Sequence, residues 1–370
     1  MEPSAHCTAN SAASSIVPDS TNLDLLRAVA VMLVLFAHLL LCLFDTGHYR
    51  MATYPFWKLQ LTELGHVGVL LFFVHTALVL MMSLERTPGR RLVVNFYIRR
   101  IFRIFPLSVT CVLAVLLFRV PQVPDGTFAP WHWDDVVTNL LLIQNIFGKQ
   151  SILAPLWTLP REFQMYLVLP FLYFLLKRFS SNLVVLLLWT AFFAAVPFAP
   201  LLESFPCFMG GVFAYQLGKE RTFHLPGALW PLGLAGVIGL HALSMTSVFA
   251  DFDRSDFVFC MFLGAVIPNV RNLEKSRLTA ACHTIAKYSY GIYLCHDPVL
   301  WLSFVKLGWL PIALQWMAFL LLMAGIPVAA YHLLEAPLID VGRKIANRWS
   351  SRPAPRSLRL SDAVLEEGIS

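Results

Sequence analysis

Apolar residues in this chain gather in long runs and do not alternate with polar ones. The runs are too continuous for half-buried strands, and most are long enough for helices. The first covers residues 25–44. Others follow at about 65–84, 101–119, 163–177, 183–199, 202–217, 227–249, 257–269, 288–306 and 311–333. About 20 consecutive apolar residues cross a bilayer as a helix. The pattern therefore predicts an all-α, polytopic transmembrane helix bundle of about ten spans. A further run, Val136–Phe147, is too short to cross and is expected to be re-entrant or interfacial.

The polar pattern divides the remainder. Residues 1–21 are rich in Ser, Ala and Pro and lack the charged segment that precedes the apolar core of a cleaved signal peptide, so a disordered tail is expected. Residues 22–340 read as one membrane-embedded domain, and 341–370 as a basic and then polar tail. There is no internal repeat and no second soluble domain in the pattern.

Charge gives the bundle a direction. Ten spans put both termini on one side. With the N-terminus in the cytoplasm, 21 of the 28 Lys and Arg residues fall inside. The 7 outside are Arg50, Lys58, Arg119, Lys149, Arg161, Arg254 and Lys306. Cytoplasmic loops carry such an excess, so both termini are expected in the cytoplasm.

Composition agrees. The 370 residues are 58% hydrophobic and 14% charged, against about 25% charged in soluble domains, and mean hydropathy is +0.66. The net charge of +6 follows from the inside excess and calls for no nucleic acid. Seven cysteines are scattered singly without a C-x-x-C pair, which excludes a disulfide framework and a zinc site; no metal is expected.

Ionisable groups inside spans are expensive and therefore become candidates. Arg27 and His38 are eleven residues apart, nearly three turns, on one face of the first helix and about 16 Å apart along its axis. His38 suits a general base or an interhelical hydrogen bond. Arg27 suits a functional cation or a snorkelling residue paired with Asp24. Arg99, Arg100 and Arg103 follow at helical spacing; they fit phosphates, or the inside charge bias. Glu162 follows Pro160 in a first helical turn, where a carboxylate also complements the dipole. His296 falls near mid-membrane, and Pro298 is expected to break that helix. His66 and His75, nine residues apart, lie on opposite faces of the second span. Phosphate-binding loops, the dinucleotide fingerprint, the nucleophile elbow and H-E-x-x-H are absent.

In order along the chain, several segments resemble the acyltransferase-3 family of integral-membrane O-acyltransferases. Leu23–Ala28 with His38 resembles its basic residue, ten intervening residues and histidine. Gly65 and Gly68–Phe73 resemble its second-helix segment, and Tyr97–Pro106 its arginine-bearing third. Leu156-Trp157-Thr158-Leu159 with Glu162 and Tyr166 resembles its "W-S-L-x-x-E…Y". Ser289-Tyr290 through Tyr293-Leu294 and His296 resembles "S-Y…Y-L-x-H", and Glu335-Ala336-Pro337 its closing "E-x-P". The chain departs where Leu70 replaces a common acidic residue and His75-Thr76 a Ser-Gly pair.

The resemblance implies an enzyme of the bacterial inner membrane. It would move an acyl group, in the first instance acetyl, from acyl-CoA to a hydroxyl of a glycan or glycolipid. Acyl-CoA is a co-substrate, and no permanently bound cofactor is implied. His38, Arg27 and Glu162 would be catalytic. Arg99, Arg100, Arg103, Trp157, Tyr166, Tyr290 and His296 would bind substrates. The expected partners are the bilayer, acyl-CoA and the acceptor. A transporter or flippase of a lipid-linked glycan is the competing reading, since it too needs many helices and buried histidines; two-fold repeats, usual there, are missing.

Overall fold

The computed structural model describes residues 20–49, 54–87, 92–120, 131–220, 224–246 and 252–351. The N-terminal tail up to residue 19 and the C-terminal tail from 352 lie outside them. Twelve α-helices are present among the described residues: α1 (Thr21–Asp45), α2 (Tyr54–Arg86), α3 (Leu92–Phe118), α4 (Trp133–Leu140), α5 (Leu159–Phe179) and α6 (Asn182–Ala195). They continue with α7 (Phe205–Glu220), α8 (Trp230–Thr246), α9 (Phe252–Val266), α10 (Arg277–Leu300), α11 (Ile312–Ala330) and α12 (Ala336–Ser351). No strand forms among these residues; a single β-bridge joins Leu225 to Val270.

Among the described residues, each of the ten apolar runs falls largely on one of these helices. Four stretches are long and apolar enough to cross a membrane: Thr21–Asp45, Lys58–Arg86, Leu92–Phe118 and Ile312–Trp349. The helices α6, α8 and α9 are apolar but shorter, and α5 and α10 carry charges at their ends. The outer surface is that of a membrane protein. Leu117, Phe171 and Leu321 are 76%, 65% and 66% exposed on α3, α5 and α11. A water-soluble monomer does not present apolar surface on that scale.

Helix α2 is the axis of the bundle and the most enclosed of the four long stretches. It packs on α1, α5, α7 and α9; α1 in turn packs on α10, and α3 on α12. Close approach comes from glycine. A Cβ on Gly68 of α2 would lie 2.6 Å from the Ala30 carbonyl oxygen of α1. One on Gly211 of α7 would lie 2.2 Å from that of Val74. Apolar attraction between helices is weak in lipid, and small residues let backbones meet instead.

The sequence expectation about Pro298 is corrected. Helix α10 runs through Pro298 to Leu300 and continues into a π-helical segment, Trp301–Lys306. There the Trp301 N–H bonds the carbonyls of Asp297 and Pro298, so the helical path continues past the proline. Pro327 of α11 behaves alike, followed by a second π segment, Tyr331–Glu335, that leads directly into α12. The Val136–Phe147 stretch forms the last five residues of α4 and a set of turns, far short of a span.

Candidate active site

A cavity of about 110 Å³ lies between α1, α2, α3, α5 and α10. Arg27, Arg100, Arg103, Glu162, Tyr166 and Tyr290 line it, together with the apolar residues of α2 from Val69 to Leu80 and with His75 and Thr76. Helical phase explains the set. Arg100 and Arg103 are three residues apart on α3 and share a face, as do Glu162 and Tyr166, four apart on α5. The Tyr166 hydroxyl donates to Glu162 Oε1. Tyr290 donates to the Ile104 carbonyl at 2.6 Å, and its ring lies under the Arg103 guanidinium.

Arg27 is not paired with Asp24, which instead accepts from His283 Nδ1 at 2.8 Å. Arg27 turns into the cavity. The Nε atoms of Arg27 and Arg100 are buried there and have no hydrogen-bond partner in the protein. Buried cationic donors left open in this way suit an anionic ligand. Arg99 takes another course: its Nη2 donates to Asn347 Oδ1 of α12 at 3.1 Å, and it does not line the cavity.

Glu335 is a site residue that the sequence reading placed only within a closing motif. The π segment turns its buried side chain inward, where Oε2 accepts from Arg103 Nη1 at 3.1 Å. Its Oε1 is buried without a partner. The available signal was a carboxylate in an apolar run, followed two residues later by proline.

His38 lies outward from this cavity on α1, beyond Tyr293 of α10. Its Nδ1 is 2.8 Å from the Val34 carbonyl oxygen. A carbonyl only accepts, so Nδ1 carries the proton, and Nε2 of the neutral ring holds a lone pair. His296 repeats the arrangement, with Nδ1 2.6 Å from the Tyr293 carbonyl oxygen and Nε2 buried without a partner. The two rings meet edge to face with centroids 5.0 Å apart. Gly65 of α2 packs beside the His38 ring; a Cβ there would lie 3.3 Å from Ala37 Cβ and 3.5 Å from His38 Cε1. Tyr293 links this pair to the cavity wall: its hydroxyl lies 2.9 Å from Thr158 Oγ1 and donates to the Pro155 carbonyl at 3.1 Å.

Trp157 stands outside the arginine cavity. It stacks with His66 at 6.2 Å and lies under Arg161, whose guanidinium is 4.7 Å from its ring. His66 Nε2 is 2.7 Å from Asp256 Oδ2 on α9, and His241 Nε2 of α8 is 3.3 Å from the other oxygen. No spacing along the chain points to this His–Asp–His contact, because its members are distant in sequence.

Among the described residues no group of three or more His, Cys, Asp or Glu is arranged to hold a metal ion.

Comparison with known proteins bears on this arrangement. A family profile described as an acyltransferase domain matches residues 20–333. The acyltransferase MdmB of Streptomyces mycarofaciens is 34% identical over 128 residues, 32% of this chain and 31% of the relative, so the match spans about a third of that protein. A putative acetyltransferase, ORF330 of Acidianus two-tailed virus, is 26% identical over 270 residues, 66% of this chain and 78% of the relative. No solved structure matches significantly.

Proposed function

Because this chain belongs to the acyltransferase-3 family, we propose that it is a membrane-embedded O-acyltransferase moving an acyl group, acetyl first among candidates, from acyl-CoA to a glycan or glycolipid hydroxyl. The observation that carries the reading is the pairing of three arginines in one cavity with a histidine further along α1 whose Nε2 lone pair is free for a proton. Acyl-CoA approaches from the cytoplasm with its phosphates on Arg100 and Arg103, whose guanidinium groups can fork onto phosphate oxygens. The pantetheine arm passes Arg27 and delivers the thioester toward His38. His38 Nε2 takes the proton of the acceptor hydroxyl as its oxygen attacks the thioester carbonyl. The carbon–sulfur bond then breaks, and the CoA sulfur leaves with the proton returned from the imidazolium. His296, in edge contact with His38, orients the acceptor, and Glu162 with Tyr166 holds the arginine array.

This reading carries with it about ten crossings, both termini in the cytoplasm and residence in a bacterial inner membrane. Its support is the inside charge excess and the helices found under all ten apolar runs. The test is thiol release from acetyl-CoA by the purified protein in lipid nanodiscs with a glycan extract as acceptor. Release coupled to acetylated glycan is expected. Glycan flux in sealed vesicles with no loss of acetyl-CoA would overturn the reading in favour of a flippase.

A further inference from the structure

A second cavity, of about 400 Å³, opens on the other side of Trp157. It shares no lining residue with the arginine cavity: Trp157 faces one, and Thr158, the next residue, faces the other. Its polar lining is Gln144, Asn145, Gln150 and Ser151, with Lys149 and Arg161. The wall is built, not loose. Buried Asn139 of α4 donates to the carbonyls of Asp135 and Gln150 at 2.8 and 2.9 Å and accepts from Ile152 N–H at 2.9 Å. Asn145 and Gln164 exchange amide hydrogen bonds at 3.0 and 3.3 Å, tying the loop to α5.

Two observations define the ligand chemistry. Both cations are already matched: Lys149 is bound to Asp134 and lies 3.4 Å from Asp135, and Arg161 is 2.7 Å from Glu203. What remains for a ligand is side-chain amide. Gln144 is 1% exposed, and its Nε2 donates to the Leu156 carbonyl at 3.2 Å and to Ser151 at 3.3 Å. Its Oε1 is buried without a partner. An amide oxygen only accepts, so a carboxylate or a phosphodiester, which has no proton to give, cannot satisfy it, whereas an alcohol can.

We propose that this cavity is the acceptor subsite and that it takes a neutral polyhydroxylated headgroup, a glycoside, with one hydroxyl donating to Gln144 Oε1. The proposal rests on the acyl-transfer reading above and adds the location and the neutral charge of the acceptor. The chemistry is shared by free saccharides and by the headgroups of glycolipids.

Saturation-transfer NMR on the full protein in nanodiscs reads such binding. The probes are the methyl glycosides of glucose, galactose, mannose and rhamnose, with methyl glucuronide and inorganic phosphate as anionic comparisons. At least one neutral glycoside binds saturably, and Gln144→Leu weakens it by about fivefold, the effect of one lost hydrogen bond. Gln150→Ala, at an exposed side chain, weakens it less and serves in place of Gln144→Leu if that variant melts early. The octyl glycoside of the same sugar identifies the source: tighter binding supports a lipid-carried headgroup, equal binding a free saccharide. No binding of any neutral glycoside, unchanged affinity in both variants, or tighter binding of the uronide or phosphate overturns the proposal. Thiol release from acetyl-CoA in the same preparation separates the failures. With release intact, only this subsite falls; without release, the acyl-transfer reading falls with it.

Discussion

Helix α2 borders two clusters of ionisable groups, and the clusters are finished differently. In one, Arg27, Arg100 and Arg103 surround a cavity, with donors on two of them unmatched by the protein. In the other, Asp256 is held between His66 and His241, and the three groups close on one another. Both clusters are costly in lipid and both would attract attention as functional candidates. The open one has room and unmet hydrogen-bonding capacity, which a ligand can fill. In the closed one the two histidines lie 2.7 and 3.3 Å from the two oxygens of one carboxylate, and the contact joins α2 to α8 and α9. Burial of charge alone therefore does not mark a site; unmet capacity beside a cavity does.

Substitutions separate the two clusters. Arg27→Ala or Arg100→Ala removes a charge-assisted contact to the donor, each contributing about 1.5–3 kcal/mol. The expected result is a fall of roughly 10- to 100-fold in kcat/KM for acetyl-CoA, carried mainly by KM, with the melting temperature nearly unchanged. Asp256→Ala should do the reverse, lowering stability by about 2–3 kcal/mol as two imidazoles lose their shared acceptor, while affinity for acetyl-CoA is retained. A stable Asp256→Ala protein that no longer binds donor would erase the distinction. Glu335→Gln keeps a hydrogen-bonding partner for Arg103 and removes its charge; a smaller change, about 3- to 10-fold in donor affinity, is expected from titration of acetyl-CoA.

The smallest effect is at the surface. Lys149 beside Asp134 holds that carboxyl below its usual range. A depressed carboxylate lends stability above its unfolded pKa and loses it as pH falls through its folded value. Lys149→Ala should therefore raise the Asp134 midpoint in an NMR titration and remove whatever stability this exposed pair adds at neutral pH. Melting curves of the two proteins should differ little there and converge in acid.

Much of the architecture was legible in the chain. Continuous apolar runs predicted the helices, and helical spacing allowed Arg103 to share a face with Arg99 or Arg100. A separation of eleven residues put Arg27 and His38 on one face of α1. Spacing could not tell whether Arg99 or Arg100 enters the cavity, because that depends on how α3 is rotated against α12, where Asn347 holds Arg99. Nor could it place Glu335, whose direction is set by a π segment that changes the helical phase. Pro298 was read as a helix breaker because the adjoining π segment that accommodates it leaves no mark in composition. The Asp256 contact spans 190 residues and depends wholly on tertiary packing.

The central claim is that the arginines hold the donor while His38 moves the proton. Single-turnover transfer from acetyl-CoA in nanodiscs, with donor affinity measured on the same samples, tests it for His38→Ala beside the wild type. The account predicts donor affinity within about twofold and a transfer rate lower by about 100- to 10,000-fold, the usual range for a lost general base. A His38→Ala protein that transfers acetyl at the wild-type rate would contradict it.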